Sequence, residues 1–291
     1  MSAFDHLQVF TAMHASPHAQ LELSAQLGDG LAAALWSNRN DARDYQAPSH
    51  HTLSCYIADG TGTFRRQKPA DKGAPNKLCI MPAGHESNWI VNGEIRLAHL
   101  YVGEAQFALG CTRLLDREPR EMQLHEATFL VDPQQAVRFR QLVALNWAEP
   151  GERLLTNSLA HAIIDHAVLH QTGRREGLRV KGGLAPHQRR QLVDYIDASL
   201  DQPLTLGELA LRCNLSEYHF ARMFRASFGL PPHQYVLARR LHRACQLLRV
   251  GHMALGQVAL ACGFASASHF SNRFRQALGA TPGEYRAAFA G

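Results

Sequence analysis

The sequence predicts an α+β protein of two domains, a strand-rich N-terminal one and an all-helical C-terminal one. Three observations carry this. A helical segment occurs twice near the C-terminal end, short apolar runs separated by Gly and Pro turns fill the region from about 20 to 103, and the composition changes abruptly between Thr172 and Pro186. At 291 residues the chain exceeds the usual size of one domain, and an apolar content of 46% suffices for two cores. The expected boundaries are 1–172 for the first domain, 173–186 for a linker and 187–289 for the second domain.

The N-terminal strands are marked by their turns. Leu53–Ile57 ends at Asp59-Gly60-Thr61-Gly62, and Thr63–Arg65 resumes beyond it. Lys77–Met81 runs into Pro82-Ala83-Gly84, and Ile95–Val102 is a further strand. Short strands with such turns suggest a small barrel or sandwich. Gly103–Asp116 reads as helical, and Met122–Val131 as either strand or helix. Asp132-Pro133 supplies an N-cap with proline at the first helical position, opening a helix to about Asn146, and a second helix runs from Glu152 to about His170.

The segment from Thr172 to Pro186 contains Gly173, Arg174, Arg175, Gly177, Lys181, Gly182 and Gly183 without periodicity, the composition of a flexible basic linker. Beyond it, helices are expected at 187–200, 206–213, 217–228, 233–250, 255–262 and 267–278, with a last one opened by Thr281-Pro282.

Leu206–Cys213 reappears as Leu255–Cys262, and His219-Phe220, Phe224-Arg225, Gly229, Pro232 and Tyr235 return as His269-Phe270, Phe274-Arg275, Gly279, Pro282 and Tyr285. The second copy carries one extra residue in its turn. A short helix, a tight turn and a second helix, present twice, is the layout of two helix-turn-helix units. In each second helix one face is apolar: Phe220, Phe224, Ser227 and Phe228 in the first copy, Phe270, Phe274, Ala277 and Leu278 in the second. The opposite faces carry Tyr218, Ala221, Arg222 and Arg225, then Ser268, Ser271, Asn272 and Arg275, with His269 and Arg273 on the flank. A helix that reads DNA needs this division between scaffold and base edges. Ser216 and Ser266 are placed to cap the two helices.

Charge is distributed to match. Residues 181–291 hold 13 Lys and Arg against 6 Asp and Glu, whereas residues 1–180 hold 17 against 19. The basic excess therefore lies with the repeat, which points to a polyanionic partner for that domain alone. The connecting helix of about 18 residues would span roughly 27 Å, slightly less than one ~34 Å duplex turn. Both reading helices are thus expected in adjacent major-groove segments of somewhat bent DNA, with Arg239, Arg240, Arg243 and Arg249 as candidates for phosphate contacts.

The run from Gly263 to Arg275, continued by Gly279-Ala280-Thr281-Pro282-Gly283-Glu284-Tyr285-Arg286, resembles the signature of the AraC/XylS family of bacterial transcription regulators. The likeness extends over about 187–289. It implies base-reading roles for Tyr218, Ala221 and Arg222 in the first unit, and for Ala267, Ser268, His269 and Asn272 in the second. The family often has arginine where Asn272 stands, and asparagine is suited to adenine. The resemblance also implies a cupin-like β-barrel ahead of the DNA-binding domain, two helices that mediate dimerisation, and a small-molecule effector. Pro82-Ala83-Gly84-His85 with Trp89 is similar to a fragment of a cupin motif, so His85, Trp89 and His99 are the effector-site candidates. Arg65, Arg66 and Arg96 could attract an acidic effector or lie on the surface.

A metal site needs three or four convergent ligands. His50, His51, His85 and His99 do not make up the paired-histidine first cupin motif, so no metal is expected. His161, Asp165, His166 and His170 share helical spacing but form no HExxH, and a polar patch or pairing seam is the expectation. The six cysteines contain no CxxC pair and fit a reducing cytosol. Neither a signal peptide nor a membrane span is legible, which favours a cytoplasmic protein. The expected function is a sequence-specific transcription regulator, not an enzyme, without cofactor. Its expected partners are double-stranded promoter or operator DNA, a small-molecule effector, a second copy of the chain, and RNA polymerase if it activates. A metal-dependent cupin oxygenase and an effector-free DNA-bending protein are the alternatives.

Overall fold

A computed structural model of the chain describes residues 4–28, 30–177 and 181–289. The centre of the expected linker, 178–180, lies outside the described residues, as do residues 1–3 of the expected first domain. The chain divides into two units: Met1–Phe107 with Gln123–Gly173, and Ala108–Met122 with Arg174–Gly291.

The first unit opens with a short helix, α1 (Gln8–His14), which the sequence did not announce. Seven strands follow: β1 (Ala19–Gly28), β2 (Leu31–Gln46), β3 (His50–Asp59), β4 (Thr63–Arg65), β5 (Lys77–Met81), β6 (Glu86–Gly103) and, beyond a helix, β8 (Ala127–Val131). That helix, α2 (Glu104–Leu115), and the short strand β7 (Met122–Leu124) lie between β6 and β8. The antiparallel order is β1-β2-β6-β3-β5-β8, with β4 on the remaining length of β6. Helices α3 (Pro133–Ala144) and α4 (Pro150–His170) complete the unit, and β9 (Thr172–Arg174) pairs with β7 in a separate ribbon.

The expected closed barrel does not form, because the edge strands β1 and β8 do not pair with each other. Helix α4 meets the edge of β1 instead: Asn157 Nδ2 donates to the Leu27 carbonyl at 2.8 Å. The long β2–β6 ladder bends part-way. A bulge separates Arg39 and Asp41, Asn40 takes a positive φ of 50°, and its side chain accepts from Gly93 N–H at 2.7 Å. A bulge increases local twist. Here it lets Trp89 and Val91, on one side of the bend, share a core with Trp36, Leu97 and Tyr101 on the other.

Local signals in the sequence placed the helices well. Asp132 caps α3 through Gln135 N–H at 3.0 Å, with Pro133 at the first helical position. The second unit contains α5 (Pro186–Ala198), α6 (Leu206–Arg212), α7 (Glu217–Phe228), α8 (Pro232–Val250), α9 (Leu255–Ala261), α10 (Ala267–Leu278) and α11 (Pro282–Ala288). Its first core joins Leu192 and Ile196 of α5, Leu209 of α6, the α7 phenylalanines and Tyr235 of α8.

The unit also includes Ala108–Met122, a segment far away in sequence. Arg120 donates to the carbonyls of Lys181 and Gly182 at 3.2 and 2.9 Å. Leu184 is buried and its N–H donates to Ser227 Oγ at 2.8 Å. The 181–184 stretch of the expected linker is therefore anchored, because backbone groups in a basic, glycine-rich segment still find partners when a folded surface supplies them.

Candidate functional site

The two repeat copies build the same local object by the same physics. The turn after α6 holds Asn214 at φ 54°, and the turn after α9 holds Gly263 at φ 69°. Both turns close with equivalent backbone bonds, Leu215 N–H to Ala210 O at 3.1 Å and Phe264 N–H to Ala259 O at 3.0 Å. Each following helix is then capped by serine: Ser216 Oγ accepts from His219 N–H at 3.4 Å, and Ser266 Oγ from His269 N–H at 3.1 Å. Both end in a left-handed glycine, Gly229 or Gly279, the usual way to close a helix without a Cβ penalty. The extra residue of the second copy, Ala265, is absorbed in the turn before the cap.

The apolar faces are inside. Phe220, Phe224, Ser227 and Phe228 are buried, as are Phe270, Phe274 and Leu278, while Ala277 is half-buried. The opposite faces are open. Tyr218 is 81% exposed, Arg222 and Arg225 are exposed, and Ala221 is half-buried. On α10, Ala267, Ser268, His269, Asn272, Arg273 and Arg275 are all exposed, and Ser271 is half-buried. The His269 ring rests edge-on against Phe264, and Arg273 reaches Gln276 at 3.5 Å. Each helix thus offers a run of polar and cationic side chains on one face, with the aromatic core fixing its orientation from behind.

Helix α8 joins the two repeat copies and contains 19 residues, about 28 Å at 1.5 Å rise per residue. Its arginines mostly serve the fold. Arg239 makes a forked pair with Asp197 at 2.8 and 2.6 Å. Arg240 donates to the carbonyls of Leu200 and Gln202, and Arg249 donates to Tyr285 Oη at 2.9 Å beside the Phe289 ring. Three of the four phosphate candidates are therefore engaged within the protein, since long side chains on a packed helix find neighbouring carbonyls and carboxylates.

A family model described as "Helix-turn-helix domain" matches residues 209–288. The probable transcriptional regulator LumQ of Photobacterium leiognathi is 40% identical over 96 residues, 33% of this chain and 39% of that protein. A solved transcriptional regulator with an AraC-type DNA-binding domain, from Chromobacterium violaceum, is 35% identical over 36% of this chain and 93% of that one, with a TM-score of 0.34. The DNA-binding domain of AdpA, solved in complex with a target DNA, is 32% identical over 34% of this chain and 90% of that one, also with a TM-score of 0.34. The chain belongs to the AraC/XylS family of transcriptional regulators. Its match spans about two fifths of the length of the curated relatives. The helical second unit of this AraC/XylS chain carries the family's DNA-binding domain.

The sheet-rich unit of this AraC/XylS-family chain encloses a cavity of about 420 Å³, its mouth included, lined in part by Met13, Ser54, Trp89, Leu97 and His99. Trp89 and His99, two of the three effector-site candidates, are brought together there. His85 is not in the lining; its ring is held by the Pro82 carbonyl at 2.7 Å and Ser87 Oγ at 3.1 Å. His99 is fully buried, and burial pushes its imidazole down to about 3, so it is neutral. Sequence reasoning missed Asn38, Asp41 and Arg43. Their signal was a polar run, Ser37–Asp41, directly after the apolar Leu31–Trp36. Asp41 accepts from Ser16 Oγ at 2.8 Å, Asn38 Nδ2 at 3.0 Å and Arg43 Nη2 at 2.9 Å. Burial raises its pKa, but these bonds and the Arg43 charge outweigh that and leave it lowered.

Two of the three arginines considered for an acidic effector are otherwise occupied. Arg65 pairs with Glu126 and lies over Trp89, Arg96 pairs with Glu22 at 2.8 Å, and Arg66 is exposed. Among the described residues, no group of three His, Cys, Asp or Glu is placed to hold a metal ion. His166 instead pairs with Asp132 at 2.8 Å and packs on His170. No helix among the described residues is long and apolar enough to cross a membrane.

Proposed function

We propose that this chain is a sequence-specific regulator in which α7 and α10 read DNA and a cupin-like N-terminal unit senses a small molecule and pairs two copies. The observation that carries the reading is the duplicated, capped helix whose aromatic face is buried while Arg222, Arg225, Asn272 and Arg275 stand exposed. Tyr218, Ala221 and Arg222 contact bases at one half-site, and Ala267, Ser268, His269 and Asn272 at the other, with Arg225, Arg273 and Arg275 on the flanking phosphates. The AdpA domain, solved with a target DNA, supports this use of the fold. A net excess of cations in the C-terminal third favours the same partner.

The sensing role is supported by the internal cavity. The pairing role is supported by Val137 on α3 and Leu169 on α4, exposed apolar side chains that a second copy would cover. The effector acts by changing how well the DNA-bound and free forms are populated; no bond is made or broken. Where the chain activates transcription, RNA polymerase is the further partner.

Selection of bound sequences from a random duplex pool by the full chain tests this. The expected result is a motif of two conserved blocks about 10 base pairs apart, one turn of the duplex. Recovery of sequences no different from the input pool would reject sequence-specific reading and favour a DNA-bending protein.

A further inference from the structure

We propose that the N-terminal cavity receives an uncharged, mainly apolar small molecule carrying both a hydrogen-bond acceptor and a hydroxyl donor. The inference rests on the sensing reading above and narrows it to a chemical class.

The charges at the cavity cancel. Arg43 is the one cation of its described lining, and it is held by Asp41 through Nε and Nη2 at 3.0 and 2.9 Å. It also donates to the Ala12 carbonyl at 3.2 Å. Asp41 in turn is filled by Ser16, Asn38 and its neighbour's N–H. An anionic ligand would find no free cation there, and a cationic one no free carboxylate. Either would lose its hydration without an opposite charge to replace it.

Polar groups without partners remain. Ser54 Oγ and Asn38 Oδ1 are buried and make no hydrogen bond, and their residues are only 2% and 4% exposed. Buried polar atoms are ordinarily satisfied, so an orphan in a cavity wall points to something that fills it. The Asn38 amide nitrogen is already committed to Asp41. Its oxygen accepts only, and so calls for a donor on the ligand.

His99 supplies the complementary group. Trp36 Nε1–H donates to Tyr101 Oη at 3.3 Å, and Tyr101 Oη lies 3.1 Å from His99 Nδ1. The tyrosine oxygen accepts from tryptophan and keeps its own hydrogen, for which His99 Nδ1 is an acceptor within reach; we assign His99 that tautomer. A neutral His99 then carries its proton on Nε2, where it is offered to a ligand acceptor. Ser54 is the register partner of His99 across β3 and β6, so both groups serve one end of the space. The other walls are mainly apolar, among them Met81, Ile95 and Leu97, with the Thr63 hydroxyl a further buried group that makes no hydrogen bond.

Isothermal titration of the full chain with four matched probes tests the class: 4-hydroxybenzyl alcohol and 4-hydroxybenzamide (neutral), 4-hydroxybenzoate (anionic) and 4-hydroxybenzylamine (cationic). The neutral pair is expected to bind at least about tenfold more tightly than either charged probe. Ser54→Ala should weaken the neutral probes about three- to tenfold, the size of one lost hydrogen bond. Leu97→Trp should abolish their binding by filling the space; Ser54→Ala keeps the test readable if that variant does not fold. A charged probe bound as tightly as the neutral pair, no binding by any of the four, or neutral binding indifferent to Ser54→Ala overturns the proposal. Neutral binding that leaves DNA affinity unchanged would instead reject sensing and leave the ligand class standing.

Discussion

Glu118 and Arg189 form an ion pair at 2.9 Å in which both side chains are 7% exposed. Arg120 donates to the same carboxylate, also at 2.9 Å. The pair ties the segment after α2 to helix α5 within the DNA-binding unit, across 71 positions of sequence. Removing one member of a buried pair leaves the other charged without compensation. Glu118→Ala is therefore expected to cost about 3–5 kcal/mol of stability. The double variant Glu118→Leu/Arg189→Met should recover most of it. Urea denaturation of the two variants against the parent chain checks this, and a midpoint unmoved in Glu118→Ala would contradict it.

The same pair qualifies the behaviour of an isolated C-terminal fragment. A fragment of residues 180–291 keeps both reading helices and should bind promoter DNA, with affinity falling steeply as salt rises because its 13 cations outnumber 6 anions. It lacks Glu118, so its denaturation midpoint should fall below that of the same unit in the full chain. A fragment that binds with no salt dependence would argue against phosphate contacts altogether.

Arg222 is exposed at the centre of the outward face of α7. If it forks onto a guanine, Arg222→Ala should weaken binding by about 1–3 kcal/mol and relax preference at one half-site. Asn272→Ala should act at the other half-site, on a position that prefers adenine. Enrichment profiles from random pools, compared position by position, separate the two effects. Profiles unchanged in both variants would remove these residues from base reading.

Gly263 is constrained twice. Its φ is 69°, and a Cβ there would lie 2.1 Å from the Leu200 carbonyl oxygen. Gly251, at φ 84°, has nothing within 4 Å of the same added atom. Gly251→Ala should cost only the left-handed strain, about 1–2 kcal/mol, and Gly263→Ala clearly more, because backbone must move. Thermal melts of the two variants give the order directly; equal losses would mean that the close approach at Gly263 carries no weight.

His99 makes the N-terminal unit sensitive to acid. Its ordinary value of 6.5 falls to about 3 in the folded chain, so the unfolded chain binds the extra proton between those limits. Its contribution is fully present above pH 6.5 and is lost as pH falls from there toward 3, at up to about 1.4 kcal/mol per pH unit. Burial lowers His50 and His85 in the same direction. Denaturation midpoints at pH 7 and pH 5 should therefore differ, and His99→Phe should reduce the difference. A slope that is the same in the variant would assign the acid sensitivity elsewhere.

The helices of the C-terminal unit could be read from the chain because their signals are local. Ser216 and Ser266 cap within three residues, Gly229 and Gly279 close within one turn, and the phenylalanines repeat at helical spacing. Each of these acts over a few residues, so order along the chain is enough to reveal it. The exposed faces of α7 and α10 follow from the same periodicity. Long-range pairing was beyond such reading. Whether β1 meets β8, whether Arg239 faces solvent or Asp197, and whether Glu118 belongs with strands or with α5 depend on which distant segments come to lie side by side. The cavity belongs to this second kind. Trp36, Ser54 and Tyr101 are unremarkable in the sequence; Ser54 comes to line the space beside His99, and Tyr101 and Trp36 join His99 in a hydrogen-bond chain, only when β2, β3 and β6 align in register. Short-range sterics and capping speak through neighbouring residues, whereas burial and charge pairing are settled by the folded chain as a whole.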